Sequence, residues 1–258
     1  MTVPPPVSPR PTGLPAGRIL QTVFSVAILL ATLFTAFSPK MFSGDFGAWV
    51  SGLLNPQADN VLAVPTQQGA LRIGVVSGHW GNGDDPGAVC VDGTSEYDVN
   101  LAIASLVRQK LEARGYEVDL LQEFDARLEG YEGALLLSIH SDTCDVLNDQ
   151  ATGFKVAASS YSADANLAAR LTACLYDRYT LATGLAYHSG SITFNMTDYH
   201  AFSVIDTATP AAIIETGFLN LDRSLLVDHP DTVADGLVAG ILCFVNNESA
   251  QPAPLLTP

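Results

Sequence analysis

The chain has 258 residues, enough for one substantial domain with appendages, and 27 Asp plus Glu against 12 Lys plus Arg give it a formal charge of -15. That balance excludes a nucleic-acid partner, because binding phosphate needs a basic face. Four cysteines are too few for a disulfide scaffold at this length, although one or two bridges fit.

Residues 1–18 form a proline-rich segment carrying Arg10 and Arg18. An apolar run, 19–39, follows with no charge before Lys40, and about 20 such residues suffice to cross a bilayer core. Arginines on its N-terminal side predict a transmembrane signal anchor, with residues 1–18 in the cytoplasm and the body outside the cell membrane. A cleaved signal peptide is the alternative, but no good small-residue cleavage site follows the run. Residues 40–70 read as a juxtamembrane linker. In it Phe42, Phe46, Trp49, Leu53 and Leu54 suit one side of a short helix, at the membrane surface or against the body.

From residue 71 to 247 short apolar runs alternate with longer amphipathic ones. This pattern predicts an α/β domain: a mostly parallel, mixed and twisted sheet of about six strands, with helices on both faces. In chain order, a strand at 71–77 leads to a helix capped by Ser95, with Asp98 three residues on. Val99, Ile103, Leu106, Val107 and Leu111 share its inner face, and Gly115 stops it. Strands follow at 116–122, 133–139 and 154–159. Ser162 is the expected cap of a second helix, with Leu167, Leu171, Cys174 and Leu175 inward and Gly184 beyond its end. Strands at 202–205 and 211–214 precede a last helix from Pro230, carrying Val233, Leu237, Ile241 and Phe244. Cys174 and Cys243 lie on apolar helix faces and are expected as buried thiols. Residues 248–258 read as a tail.

Three of these strands deliver polar residues to their carboxyl ends: His79, His140 and Glu215. In open α/β sheets that edge is where ligands bind. The first helix returns from the same edge, which brings Glu96 there too. Two histidines and a carboxylate are a standard set for catalytic zinc, and a second carboxylate can serve as general base. By themselves the residues support metal-assisted hydrolysis, and unrelated polar strand ends explain the pattern equally well at this point.

The words around them narrow the choice. SGHWGNGDDPGAVC, SEYDVNLAIA, LLLSIHSD and IIETGFLN occur in the order and spacing of the zinc-dependent N-acetylmuramoyl-L-alanine amidases of the amidase_3 type. The chain resembles that family over about residues 71–246. The resemblance implies His79, Glu96 and His140 as zinc ligands and Glu215 as catalytic acid/base. It also implies peptidoglycan as substrate, cut between N-acetylmuramic acid and L-alanine. The chain departs from the family pattern at Ser77, at Lys155 in place of a Glu, in a shortened segment between Arg127 and Ala134, and in GFLNL after Glu215. Two other readings share the residues: a zinc carboxypeptidase or endopeptidase on wall peptides, and a non-catalytic peptidoglycan-binding module.

Cys90 follows the His79 loop and Cys144 lies four residues past His140, so both belong to loops at one sheet edge. An exported body permits them to pair as a disulfide. His188, His200 and His229 lack a partner motif, and His229 reads as a helix N-cap. Segment 184–200, with Asp198 and His200, is placed to overhang the cleft. Asp84 and Asp85 read as turn-formers that support the metal ligands. No G-x-S-x-G elbow or phosphate loop is present.

Overall fold

The computed structural model describes residues 71–254, with Gln21, Phe24 and Ser25 as isolated positions. The expected segments 1–18 and 40–70, and nearly all of the expected span 19–39, lie outside these residues. Among the described residues no helix is long and apolar enough to cross a membrane.

Five strands form one sheet: β1 (Arg72–Ser77), β2 (Glu117–Gln122), β3 (Leu135–Asp142), β4 (Lys155–Ala158) and β5 (Ala211–Phe218). Their order is β2-β1-β3-β5-β4. Every neighbouring pair is parallel except β4 against β5. The order reverses between β1 and β3, which puts a crevice at their carboxyl ends.

Strand alternation sorts the side chains. Ile73, Val75, Leu135, Leu137, Ile139, Ala212 and Ile214 point to one face, into the larger core with α1 (Glu96–Glu112), α2 (Ala165–Thr183) and α5 (Pro230–Val245). Val76, Leu136, Ala211 and Ile213 point to the other, where they meet Tyr131, Met196, Tyr199, Ala201 and Phe202. Among the described residues that second face is covered by short pieces, including α3 (Phe194–Thr197), α4 (His200–Val204) and a 3-10 turn, Ala126–Leu128.

The sixth expected strand, 202–205, is α4. A four-residue apolar run carries no period that separates strand from helix. Here one helical turn puts Ala201, Phe202 and Ile205 together into the smaller core.

Ser95 caps α1 as expected, accepting from the Asp98 N–H at 3.1 Å. Ser162 does not cap α2. Asp164 does, accepting from Asn166 N at 2.9 Å and Leu167 N at 3.2 Å, while the Ser162 hydroxyl donates to Asp164 O. The helix therefore starts later than expected, and Leu167 is on its exposed side.

Cys174 and Cys243 are not thiols but a disulfide, with Cα atoms 5.6 Å apart. Gly240 explains the approach: a Cβ there would sit 2.9 Å from Leu175 Cα, so α5 packs with its backbone against α2. The sequence places both cysteines on apolar faces but carries no register between the two helices. Cys90 and Cys144 form the expected bridge, Cα to Cα 5.3 Å.

Candidate active site

His140 and Glu215 lie within their strands rather than just past the ends, because β3 and β5 continue to Asp142 and Phe218. β5 runs on through Gly217 to Phe218. His140 and Glu215 are register partners on adjacent strands, and Lys155 is the partner of Glu215 on its other side. With the pleat alternating, all three belong to the face covered by the short helices.

His79 follows β1, and Glu96 opens α1 at the same edge. One ligand atom each from His79, Glu96 and His140 lies within 4.8 Å of the others. Glu96 stands between the imidazoles: Oε2 is 3.2 Å from His79 Nε2, and Oε1 is 3.3 Å from His140 Nδ1. Its carboxylate is held by Ala88 N, Ser141 N and Asn100 Nδ2, each at 3.2 Å. Asn100 is the asparagine of the E-x-x-x-N word, one helical turn beyond Glu96. Ser141 in turn bonds Asn100 and Thr216, and Thr216 bonds the His140 carbonyl, so three of the motif words close into one buried network.

Two glycines are demanded by this crowding. A Cβ on Gly78 would fall 2.2 Å from His140 Cε1, and one on Gly87 would fall 2.6 Å from Glu96 Oε2. Asp85 supports the site as expected: Oδ2 lies 3.2 Å from His79 Nδ1, and Oδ1 accepts from Gly87 N at 3.0 Å.

The imidazoles and carboxylates of the cluster shift one another's protonation. Hydrogen bonding to Glu96 raises the His79 pKa to about 9, against the opposing effect of burial. Burial works against charge on His140 too, yet Glu96 and the nearby Glu215 and Glu123 raise its pKa. Glu96 is buried, which by itself favours its neutral form, but bonds to His140 and His79 hold its carboxyl well below the usual range. Burial pushes Glu215 up to about 7, and its Oε2 is buried without a hydrogen-bond partner among the described residues. Two imidazoles and a carboxylate converging in this way are a donor set that fits a divalent zinc ion, with the unpartnered Glu215 oxygen beside them.

Lys155 is buried and pairs with Asp142 at 2.6 Å, so its charge is compensated beside Glu215. A cavity of about 400 Å³ opens next to His79, lined by Trp80, Asp84, Asp85 and Tyr97 among others.

Segment 184–200 does reach the site, but through Tyr199. Its hydroxyl lies 3.3 Å from His140 Nε2 and donates to Glu123 Oε1 at 3.1 Å. His200 stands back from the cluster, stacked on Phe124 and bonded to the Glu123 carbonyl. Asp198 is engaged by the Tyr161 hydroxyl, and His188 by Ser191. His229 occupies the N-cap position of α5 without a side-chain capping bond. Glu123 and Tyr199 were not singled out from the sequence. Glu123 directly follows β2, so the rule that finds His79 and His140 at strand carboxyl ends covers it as well.

The N-acetylmuramoyl-L-alanine amidase family model, Amidase_3, matches residues 73–243. No curated protein gives a match. Among solved structures, the CwlD amidase from Clostridioides difficile, in complex with the GerS lipoprotein, is 22% identical. It aligns over 69% of this chain and 100% of its own, with a TM-score of 0.55. The N-acetylmuramyl-L-alanine amidase Ami1 from Mycobacterium smegmatis is 19% identical over 69% of this chain and 98% of its own, TM-score 0.57. The catalytic domain of CwlV from Bacillus (Paenibacillus) polymyxa is 22% identical over 68% and 98%, TM-score 0.51. At these identities the solved structures speak for the fold.

Proposed function

This chain belongs to the N-acetylmuramoyl-L-alanine amidase family Amidase_3, and from that membership we propose that it is a zinc-dependent hydrolase of peptidoglycan. The bond cut is the amide between N-acetylmuramic acid and L-alanine. The observation that carries the reading is the His79–Glu96–His140 cluster with Glu215 as register partner of His140.

An amide is a weak electrophile, and zinc held by His79, Glu96 and His140 would supply Lewis-acid polarisation and a lowered pKa for water. The protein's own part is proton transfer. Glu215 takes the proton of the attacking water and returns it to the departing L-alanine amine. A carboxyl pushed to about 7 by burial suits both directions near neutral pH. Pairing with Asp142 keeps the Lys155 ammonium from holding Glu215 as an inert ion pair. The cavity beside His79 gives substrate a way to the cluster. Mass spectrometry of muropeptides after incubation with the zinc-loaded protein tests the reading. Release of intact stem peptides with a free L-alanine amine is expected; shortened stems would make it a peptidase, and unchanged substrate would leave a binding module.

The location follows from the same proposal. A body outside the cell membrane, held by the run 19–39, is supported by Arg10 and Arg18 and by two disulfides, which persist in oxidising compartments. Protease added to intact cells is expected to digest the body; full protection would place it inside.

A further inference from the structure

Glu123 is a buried carboxylate that neither the metal cluster nor the proton transfer uses. Its two oxygens do different things. Oε2 accepts from the backbone N–H of His79 at 2.7 Å. Oε1 accepts from the Tyr199 hydroxyl at 3.1 Å, and that hydroxyl oxygen lies 3.3 Å from His140 Nε2. One side chain thus reaches both histidines, the first through its main chain and the second through a tyrosine.

Both contacts have consequences. His79 has φ of +64°, the left-handed region that a non-glycine residue enters only at an energetic cost. A short bond from its N–H to a carboxylate offsets part of that cost and holds the imidazole toward Glu96. At Tyr199 the argument is one of donors and acceptors. A carboxylate only accepts, so the single Tyr199 proton goes to Glu123. The hydroxyl then offers His140 a lone pair, which makes Nε2 the protonated nitrogen. Nδ1, which donates to Glu96 Oε1 at 3.3 Å, is then the nitrogen that would give up its proton in exchange for a metal ion. The Tyr199 ring packs edge-on to His140, with ring centroids 5.4 Å apart.

We propose that Glu123 is a positioning residue for the metal centre, fixing the backbone of His79 directly and the tautomer of His140 through Tyr199. The inference rests on the zinc reading above. It differs from a plain structural brace, which would tie Glu123 to stability and leave the nitrogen that binds metal unspecified.

Zinc dissociation constants of the full-length protein, Glu123→Gln and Tyr199→Phe, measured by competition with a chelator, supply the test. Both variants are expected to bind zinc 10–100-fold more weakly. Combined, they should lose less than the product of the two, because they act along one chain. Nitrogen-15 NMR of the zinc-loaded wild type should show His140 protonated on Nε2 and bound through Nδ1. Tyr199→Phe removes one oxygen and decides the affinity question alone if Glu123→Gln fails to fold. Unchanged zinc affinity in the variants, or His140 bound through Nε2, overturns the proposal while leaving the zinc site in place. A wild type that binds no zinc overturns the metal reading and this inference with it.

Discussion

The two faces of the sheet are built differently. One is covered by α1, α2 and α5, of 17, 19 and 16 residues, with the Cys174–Cys243 bridge fastening two of them. Among the described residues the other is covered by helices of 4 and 5 residues and 3-10 turns of three residues. His140, Glu215 and Lys155 all point to the thinly covered face, and Tyr199 descends on them from it. Thick apolar cover supplies stability, since each fully buried aliphatic side chain contributes about 1.5–3 kcal/mol. Thin cover leaves a crevice open over polar side chains. The alternation of β3 makes both at once: Leu135, Leu137 and Ile139 anchor the thick side, and His140 is delivered to the thin one.

If the faces divide labour in this way, changes on the thin face should abolish chemistry and spare the fold. The largest effect is expected for His140→Ala. Its zinc content should fall from about one ion per chain to near none, with activity lost in parallel, because two remaining ligands bind weakly. Elemental analysis of the purified variant checks this, and undiminished zinc would remove His140 from the ligand set. Next comes Glu215→Gln, which keeps shape but cannot accept a proton. It should retain zinc and lose about 10²–10⁴-fold in rate. Zinc loss in step with activity would instead make Glu215 a structural partner of the histidines.

On the thick face the expectation is the reverse. Replacing Cys174 and Cys243 by alanine together should cost about 2–4 kcal/mol of unfolding free energy, and leave the rate per folded molecule unchanged. Denaturant titration alongside activity measures both. A rate that falls with no change in stability would break the division between the faces.

The difference between the faces also accounts for what was legible in the sequence. The thick face announces itself: Val99, Ile103, Val107 and Leu111 repeat at helical spacing, and their strands are continuous apolar runs. The clustering of the candidate residues was legible because strand ends are, and because short words such as SIHS and ETGF carry several members of one hydrogen-bonded network. Parts of the thin face were not. Segment 202–205 is too short for a period, and α4 forms because Phe202 and Ile205 find a core that only the folded sheet provides. Glu123 and Tyr199 meet across 76 positions of chain, and nothing local in either marks the meeting. The Cys174–Cys243 bridge was hidden for the same reason, since a helix face is local and the register of two helices is not.

The smallest expected effect sharpens the account of how the thick face begins. Asp164 accepts two N–H groups at the start of α2, which would otherwise lack partners in the first turn. Its negative charge also complements the positive end of the helix. Ser162, two residues earlier, bonds only the Asp164 carbonyl. Asp164→Ala should therefore cost about 1 kcal/mol, and Ser162→Ala no more than about 0.5 kcal/mol. Neither should alter the rate, because both lie on elements that contribute no side chain to the cluster. Paired denaturation curves separate them. A larger loss for Ser162→Ala would mean that α2 starts earlier in solution, with Leu167 turned inward.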